Sequence, residues 1–257
     1  MSDTPPPRRI SIDPLTVTSL LVVTGANDNV LSSATGFVVL HEDRPFLITN
    51  WHVLTGRHAD SGELLSTATG AVPDILAIFH HAPERLGARV KKIENLYDPA
   101  GVPRWIEHPK GREIDVVALP LHELDGVELR AFDLGLADTD VETLIGMPVS
   151  IIGFPFGIEE LGEFPIWKTG HIATEPQWNF KGRPVFLVDA TTRGGMSGSP
   201  VVLRRSDGVR LNEAQEFVHT SPVSRFLGIY ASRPDASLEL GSVWKPNVIH
   251  EILAQAV

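Results

Sequence analysis

Apolar residues in this chain gather in short runs rather than at helical spacing. Segments rich in Val, Ile, Phe and Thr recur with turn-forming residues between them: "TVTSLLVV" (16–23), "GFVVL" (36–40), "PFLIT" (45–49), "DILAIF" (74–79), "DVVALPL" (115–121), "PVSIIGF" (148–154), "PIWKTGHIA" (165–173), "RPVFLVDA" (183–190), "PVVLRR" (200–205), "FLGIYAS" (226–232) and "GSVW" (241–244). Each run has strand length and strand composition. "HEDR" (41–44) separates two of them by a length suited to a hairpin loop. Helical periodicity is confined to "NVIHEILAQAV" (247–257), which places Val248, Ile249, Ile252, Leu253 and Ala256 on one face behind Pro246, with Asn247 as a cap. So many short strands predict an all-β protein with closed or sandwiched sheets, because an open antiparallel sheet of that size exposes its edges. The polar, glycine-bearing stretch "ELDGVELRAFDLGLADTD" (123–140) is where two small barrels would divide. A single large sandwich fits the composition equally well.

Composition narrows the functional classes. The 257 residues are 42% hydrophobic and 21% charged, enough for one large domain or two small ones. The net charge is −10 and the basic residues are scattered, which excludes the concentrated basic face that nucleic acid requires. The absence of cysteine removes disulfides, zinc–thiolate sites and a thiol nucleophile, and fits a reducing compartment. Residues 1–9, "MSDTPPPRR", read as a flexible tail, and the longest early apolar run is only "LLVV" (20–23). The expectation is a cytoplasmic protein with no membrane partner. Adjacent His80 and His81 point in different directions and lack H-x-x-x-H spacing, so they read as solvated loop, not metal site. "WIEHP" (105–109) reads as a loop without chemistry. No metal or organic cofactor is expected.

One stretch has the character of a site. "RGGMSGSPVV" (193–202) packs three glycines and two serines into six residues in front of a strand. Glycines let successive main-chain N–H groups turn inward, so Ser197 is the candidate nucleophile, with the N–H groups of Gly195 and Ser197 as oxyanion donors. The serine needs a base. His52 follows a strand-like segment in a compact apolar context, "FLITNWHVLTG" (46–56). Asp115, immediately before an apolar run, is the acid that would orient it, and Glu113 is the fallback. An α/β-hydrolase order of Ser197, Asp235 and His250 is formally present, but Pro200 and the following strand are incompatible with a nucleophile elbow.

The order His52, Asp115, Ser197 resembles the trypsin-like (chymotrypsin-fold) serine peptidases of the bacterial kind, related to the heat-shock protease group. "TNWHV" (49–53), "DVVAL" (115–119) and "GMSGSPV" (195–201) carry the likeness. "IIGFPFG" (151–157) is similar to the start of the family's second barrel, and "GSVWKPNVIHEIL" (241–253) to its last strand and helix. The resemblance implies two six-stranded antiparallel β-barrels, about 10–125 and 140–245, with a C-terminal α-helix at 247–257 in a peptidase domain spanning 10–257. It also implies a cleft holding the triad, and hydrolysis of protein or peptide substrates through an acyl-enzyme. "GIYAS" (228–232), with Tyr230, Ala231 and Ser232, corresponds to the strand that pairs with an extended substrate. Thr191 corresponds to the floor of the primary specificity pocket, with Ser232 and Gly241 at its walls. No aspartate stands at that floor, so small or apolar side chains are expected there. Met196 replaces the aspartate that binds a freshly cut N-terminus, so activation by cleavage has no anchor. Only 60 residues follow Ser197, too few for a PDZ module as well as the rest of the second barrel. A cytoplasmic peptidase must be restrained, which makes an oxyanion loop at Gly194 to Met196 gated by a partner or substrate an expectation. The alternative is a catalytically silent peptide-binding module on the same fold.

Overall fold

The apolar runs become the strands of two antiparallel sheets. The computed structural model describes residues 12–256 apart from 28, 68–69, 158–163, 206–207, 212–216, 221 and 232–238. In chain order the elements are β1 (Ser19–Ala26), β2 (Asn29–His41), β3 (Arg44–Thr49), α1 (Trp51–Thr55), β4 (Ile75–His81), β5 (Arg89–Asn95), β6 (Ile106–Glu107), β7 (Val117–Pro120), β8 (Pro148–Gly153), β9 (Ile166–Ile172), β10 (Val185–Asp189), β11 (Pro200–Arg205), β12 (Gly208–Leu211), β13 (Phe217–Thr220), β14 (Val223–Tyr230), β15 (Leu240–Trp244) and α2 (Asn247–Leu253). The first sheet runs β5-β4-β1-β2-β3-β7-β6, the second is a closed barrel β10-β15-β14-β11-β8-β9, and β12 and β13 form a separate ribbon. The first sheet thus has seven strands, the extra one being the two-residue β6. Its two edges are brought together by a Tyr97–Pro103 bridge and by Arg104 N–H donating to Leu96 O at 2.9 Å.

Local chemistry accounts for most of these elements. Between β2 and β3 a two-residue turn has Glu42 at φ 50° and Asp43 at φ 60°, the mirror-image turn whose twist matches a hairpin. Strands β2 and β10 read as continuous apolar runs because both of their faces are covered. Phe37 and Val39 face one cluster and Val38 another; Val185 and Leu187 likewise alternate with Phe186 and Val188. Strand β5, "RVKKIEN", has no such signal, because its polarity is inverted: Ile93 is exposed while Glu94 is buried and accepts from His122 N–H at 2.7 Å and Glu123 N–H at 2.9 Å.

The two halves meet in an apolar seam. Phe37 of β2, Phe132 of the connecting segment and Phe226 of β14 form a triangle of rings with centroids 4.7 to 5.9 Å apart. Contacts of this kind add about 0.5–1.5 kcal/mol each beyond area burial. Helix α2 buries Val248, Ile249, Ile252 and Leu253 in the same cluster, as its periodicity predicts. Its start differs from expectation: Pro246 occupies the cap position, and Asn247 lies in the first turn, where its Nδ2 donates to Glu251 Oε1 at 2.7 Å. Glu251 also accepts from buried His108 Nε2 at 2.5 Å, which ties the helix to the first sheet's loop. No helix among the described residues is long and apolar enough to cross a membrane.

His80 and His81 correct the loop reading. Both lie on β4 and both are buried, because the strand continues two residues past the apolar run. His81 Nε2–H donates to Val17 O at 2.9 Å. Burial, then the neighbouring charges of His81, Arg89 and Lys92, pushes His80 down to about 4, and burial with Arg89 does the same to His81. A histidine depressed on folding stabilises the protein fully above its unfolded pKa of about 6.5 and loses that contribution as pH falls towards the folded value. Denaturant titrations should therefore show stability dropping by roughly 1–3 kcal/mol between pH 6.5 and 4, and His80→Gln should flatten that slope. An unchanged slope in the variant would remove His80 from the acid response.

Candidate active site

The site lies where both sheets contribute loops. After β3 the chain passes Asn50 and enters α1, which carries His52 and stops at Gly56 in the left-handed conformation, φ 63°. Asn50 is fully buried and its Nδ2 donates to the carbonyl of Asp115 at 2.7 Å, pinning this turn to the approach of β7. From outside, Glu107 Oε1 accepts from the indole N–H groups of Trp51 at 2.8 Å and Trp105 at 3.0 Å. The segment "WIEHP", read as a loop without chemistry, thus supplies two holding contacts through Glu107 and His108.

Asp115 is buried and uses both oxygens on one residue. Oδ1 accepts the His52 backbone N–H at 2.9 Å, and Oδ2 lies 2.7 Å from His52 Nδ1. On the other side of the ring, Nε2 is 3.0 Å from Ser197 Oγ. A carboxylate can only accept, so Nδ1 carries the proton and Nε2 turns a lone pair to the serine hydroxyl. Burial alone would lower the pKa of the imidazole, but the charge of Asp115 and its hydrogen bond outweigh burial and raise it. Glu113, the fallback acid, is exposed in a short 3-10 turn.

The serine sits in the turn before β11, and each peptide unit around it is oriented by a bond. Gly194 O accepts from Phe156 N–H at 2.6 Å, and Met196 O accepts from Ser199 N–H at 3.1 Å. In a trans peptide the N–H points opposite to the carbonyl. These two bonds therefore turn the N–H groups of Gly195 and Ser197 the other way, and neither meets an acceptor among the described residues. Gly195 has φ 94°, and a Cβ there would lie 2.8 Å from Phe156 N, so only glycine fits. Met196 is buried in the apolar interior of the barrel.

Sequence reading missed Thr35, which binds this turn from the first sheet. It is fully buried; its N–H donates to Ser197 O at 2.8 Å and its Oγ1 to Gly195 O at 2.8 Å, while Phe154 N–H donates to the same Oγ1 at 3.0 Å. A threonine inside a strand gives no hint of partners 160 positions away. Ser199 Oγ is buried with no partner among the described residues, so nothing activates it.

The residues assigned to substrate contact are distributed unevenly. Ser232 lies outside the described residues. Tyr230 N–H donates to Ser199 O and Tyr230 O accepts from Gly198 N–H, so its main chain serves the serine turn and is closed to a substrate strand. Ala231 donates its N–H to Ser242 O at 2.8 Å, and its carbonyl accepts from nothing among the described residues. Thr191 Oγ1 donates to Glu239 Oε2 at 2.8 Å, and Gly241 is buried against the ring of Tyr230. Among the described residues no cluster of His, Asp or Glu could hold a metal ion.

Comparison with known proteins bears on the family and the fold. The sequence profile of the trypsin-like peptidase domain matches residues 34–209. No curated protein matches significantly. Among solved structures the chain is similar to a serine endoprotease from Yersinia pestis, with 11% identity and TM-score 0.53 over 96% of this chain and 67% of that one. It is also similar to the Rv3671c protease from M. tuberculosis in its active form, with 17% identity and TM-score 0.51 over 99% of this chain and 92% of that one. At these identities the likeness is one of fold.

Proposed function

Since the chain belongs to the trypsin-like peptidase domain family, we propose that it is a serine endopeptidase acting through Ser197, His52 and Asp115. The observation that carries this is the continuous line Asp115 Oδ2, His52, Ser197 Oγ at 2.7 and 3.0 Å. Ser197 Oγ attacks the scissile carbonyl carbon while its proton passes to His52 Nε2. The carbonyl oxygen becomes an oxyanion held by the N–H groups of Gly195 and Ser197. Collapse breaks the C–N bond, the amine leaves with the proton from His52, and water then releases the acyl group by the same steps in reverse. Asp115 keeps the ring in the tautomer that accepts a proton and stabilises the imidazolium. The carbonyl of Ala231 supplies an acceptor for the substrate main chain, and peptides or proteins are the substrates.

Gating by a partner or substrate has a physical location in this reading. The Phe156 N–H to Gly194 O bond sets the direction of Gly195 N–H, so releasing it turns one oxyanion donor away. The absence of cysteine supports a reducing compartment such as the cytoplasm as the place of action.

A fluorophosphonate probe tests the assignment, because it reacts only with a serine already activated by its base and oxyanion donors. Labelling is expected in the wild type and in Ser199→Ala, and lost in Ser197→Ala. It should speed up as pH rises through neutrality and His52 loses its proton. Its absence from the folded wild type would overturn the reading of an assembled nucleophile and leave a silent peptide-binding module or a site awaiting its partner.

A further inference from the structure

We propose that the side chain of Tyr230 fills the primary specificity pocket and restricts the residue before the scissile bond to Gly, Ala, Ser or Val. The proposal rests on Ser197 being the nucleophile, and it assigns the substrate class of that site to a residue, Tyr230, that the sequence placed on the substrate-pairing strand.

Three pieces of chain meet beside the serine turn: Ala190, on the segment leading into it, donates its N–H to Glu239 O at 3.0 Å just before β15, and Tyr230 at the end of β14 donates its N–H to Ser199 O at 2.8 Å. Tyr230 pairs with Val243 across β14 and β15, and Gly241, two positions before Val243, lies on the same face. The ring extends from its own strand across Gly241. A Cβ at position 241 would sit 2.8 Å from both Tyr230 Cζ and its hydroxyl oxygen, so Gly241 is required by the ring and the two residues form one unit. At its far end the phenol hydroxyl hydrogen-bonds Thr192 Oγ1, and both residues are buried. At its near end the main chain is fixed by Gly198 N–H at 2.9 Å and Ser199 O at 2.8 Å.

A ring held at both ends is a wall, not a mobile flap. Phe, Leu, Lys or Arg entering this space would overlap atoms already packed there, and close-packed interiors do not yield by the volume of a side chain. A methyl or isopropyl group needs only the mouth. Among the described residues the carboxylates flanking this stretch, Asp189 and Glu239, are both exposed, Glu239 accepting from Thr191, so neither stands buried against the ring to attract a cation.

The test compares peptide substrates differing only at the residue before the cleaved bond, using wild type, Tyr230→Ala, Tyr230→Val and Tyr230→Phe, each checked for folding by circular dichroism. For the wild type, kcat/KM after Ala or Val should exceed that after Leu or Phe by about 10²-fold. Tyr230→Ala should raise the ratio of cleavage after Leu or Phe to cleavage after Ala at least about tenfold. Should Tyr230→Ala fail to fold, Tyr230→Val, which removes the ring but keeps a β-branched strand residue, should shift the profile in the same direction. Tyr230→Phe keeps the ring and should keep the small-residue preference. Efficient wild-type cleavage after Phe or Leu overturns the proposal, as does an unchanged profile in folded Tyr230→Ala. Efficient cleavage after Lys or Arg overturns it too and hands selectivity to Glu239. Failure of fluorophosphonate labelling would bring down the nucleophile itself, a result distinct from a labelled enzyme with the wrong profile.

Discussion

Replacing His52 by alanine is expected to lower kcat by about 10⁶-fold, and adding Ser197→Ala to the same protein should cost almost nothing more. The reason is geometric. Among the described residues His52 is the only group touching both the carboxylate of Asp115 and the hydroxyl of Ser197, so its loss separates the other two and the serine keeps its proton. Groups that act as a unit are not additive, and the residual rate left in either variant belongs to the oxyanion donors and to substrate binding. Single-turnover kinetics on one peptide with both single variants and the double variant would check this. Independent, multiplying losses would mean that the three side chains do not work together. Stability offers a second reading of the same substitution. The pKa of His52 is raised in the folded protein, so its interaction with Asp115 stabilises the fold fully below about pH 6.5 and fades as pH rises through the folded value. His52→Ala should therefore destabilise more at pH 5 than at pH 8.

Asp115→Asn should leave the fold intact and lower kcat by about 10⁴-fold. The hydrogen bonds dictate why. His52 backbone N–H can only donate, so it takes the one remaining amide oxygen at the place of Oδ1. The amide NH₂ is then forced to face Nδ1, which must accept. The ring proton moves to Nε2 and points at Ser197, and the ring can no longer take the serine proton. The two influences that raise the His52 pKa both come from Asp115, leaving burial to lower it. The pH at which the residual activity appears should thus move down, not up. A pH–rate profile of kcat/KM for both proteins measures both effects, and an asparagine variant with near wild-type turnover would show that the tautomer is not controlled here.

How much of this was legible before folding depends on the residue. Ser197 among its glycines, His52 after "FLIT" and Asp115 before "VVAL" stand out because catalytic geometry needs particular residue types in particular local settings. Most strands were legible for a similar reason, since a short run of β-branched and aromatic residues has few other uses. Strand β5 was not, because its buried Glu94 and exposed Ile93 invert the usual pattern. His80 and His81 were misjudged because polarity suggested solvent, whereas the strand carried them into the interior. Glu107 and His108 looked idle because their partners, two indoles and a helix at the far end of the chain, share no local signal with them.

Local sequence is enough for the strand-rich class, the C-terminal amphipathic helix and the residue types available for chemistry. These follow from local periodicity and from the intrinsic properties of Gly, Ser, His and Asp, which do not wait for folding. Folding alone set Thr35 to hold two carbonyls of the serine turn, Phe156 to orient the peptide before Gly195, and the Tyr230 hydroxyl to reach Thr192 while its main chain is occupied. Such contacts join residues far apart in the chain. What selects them is the packing of two sheets against each other, where each buried polar group must find a partner and each volume can be filled once.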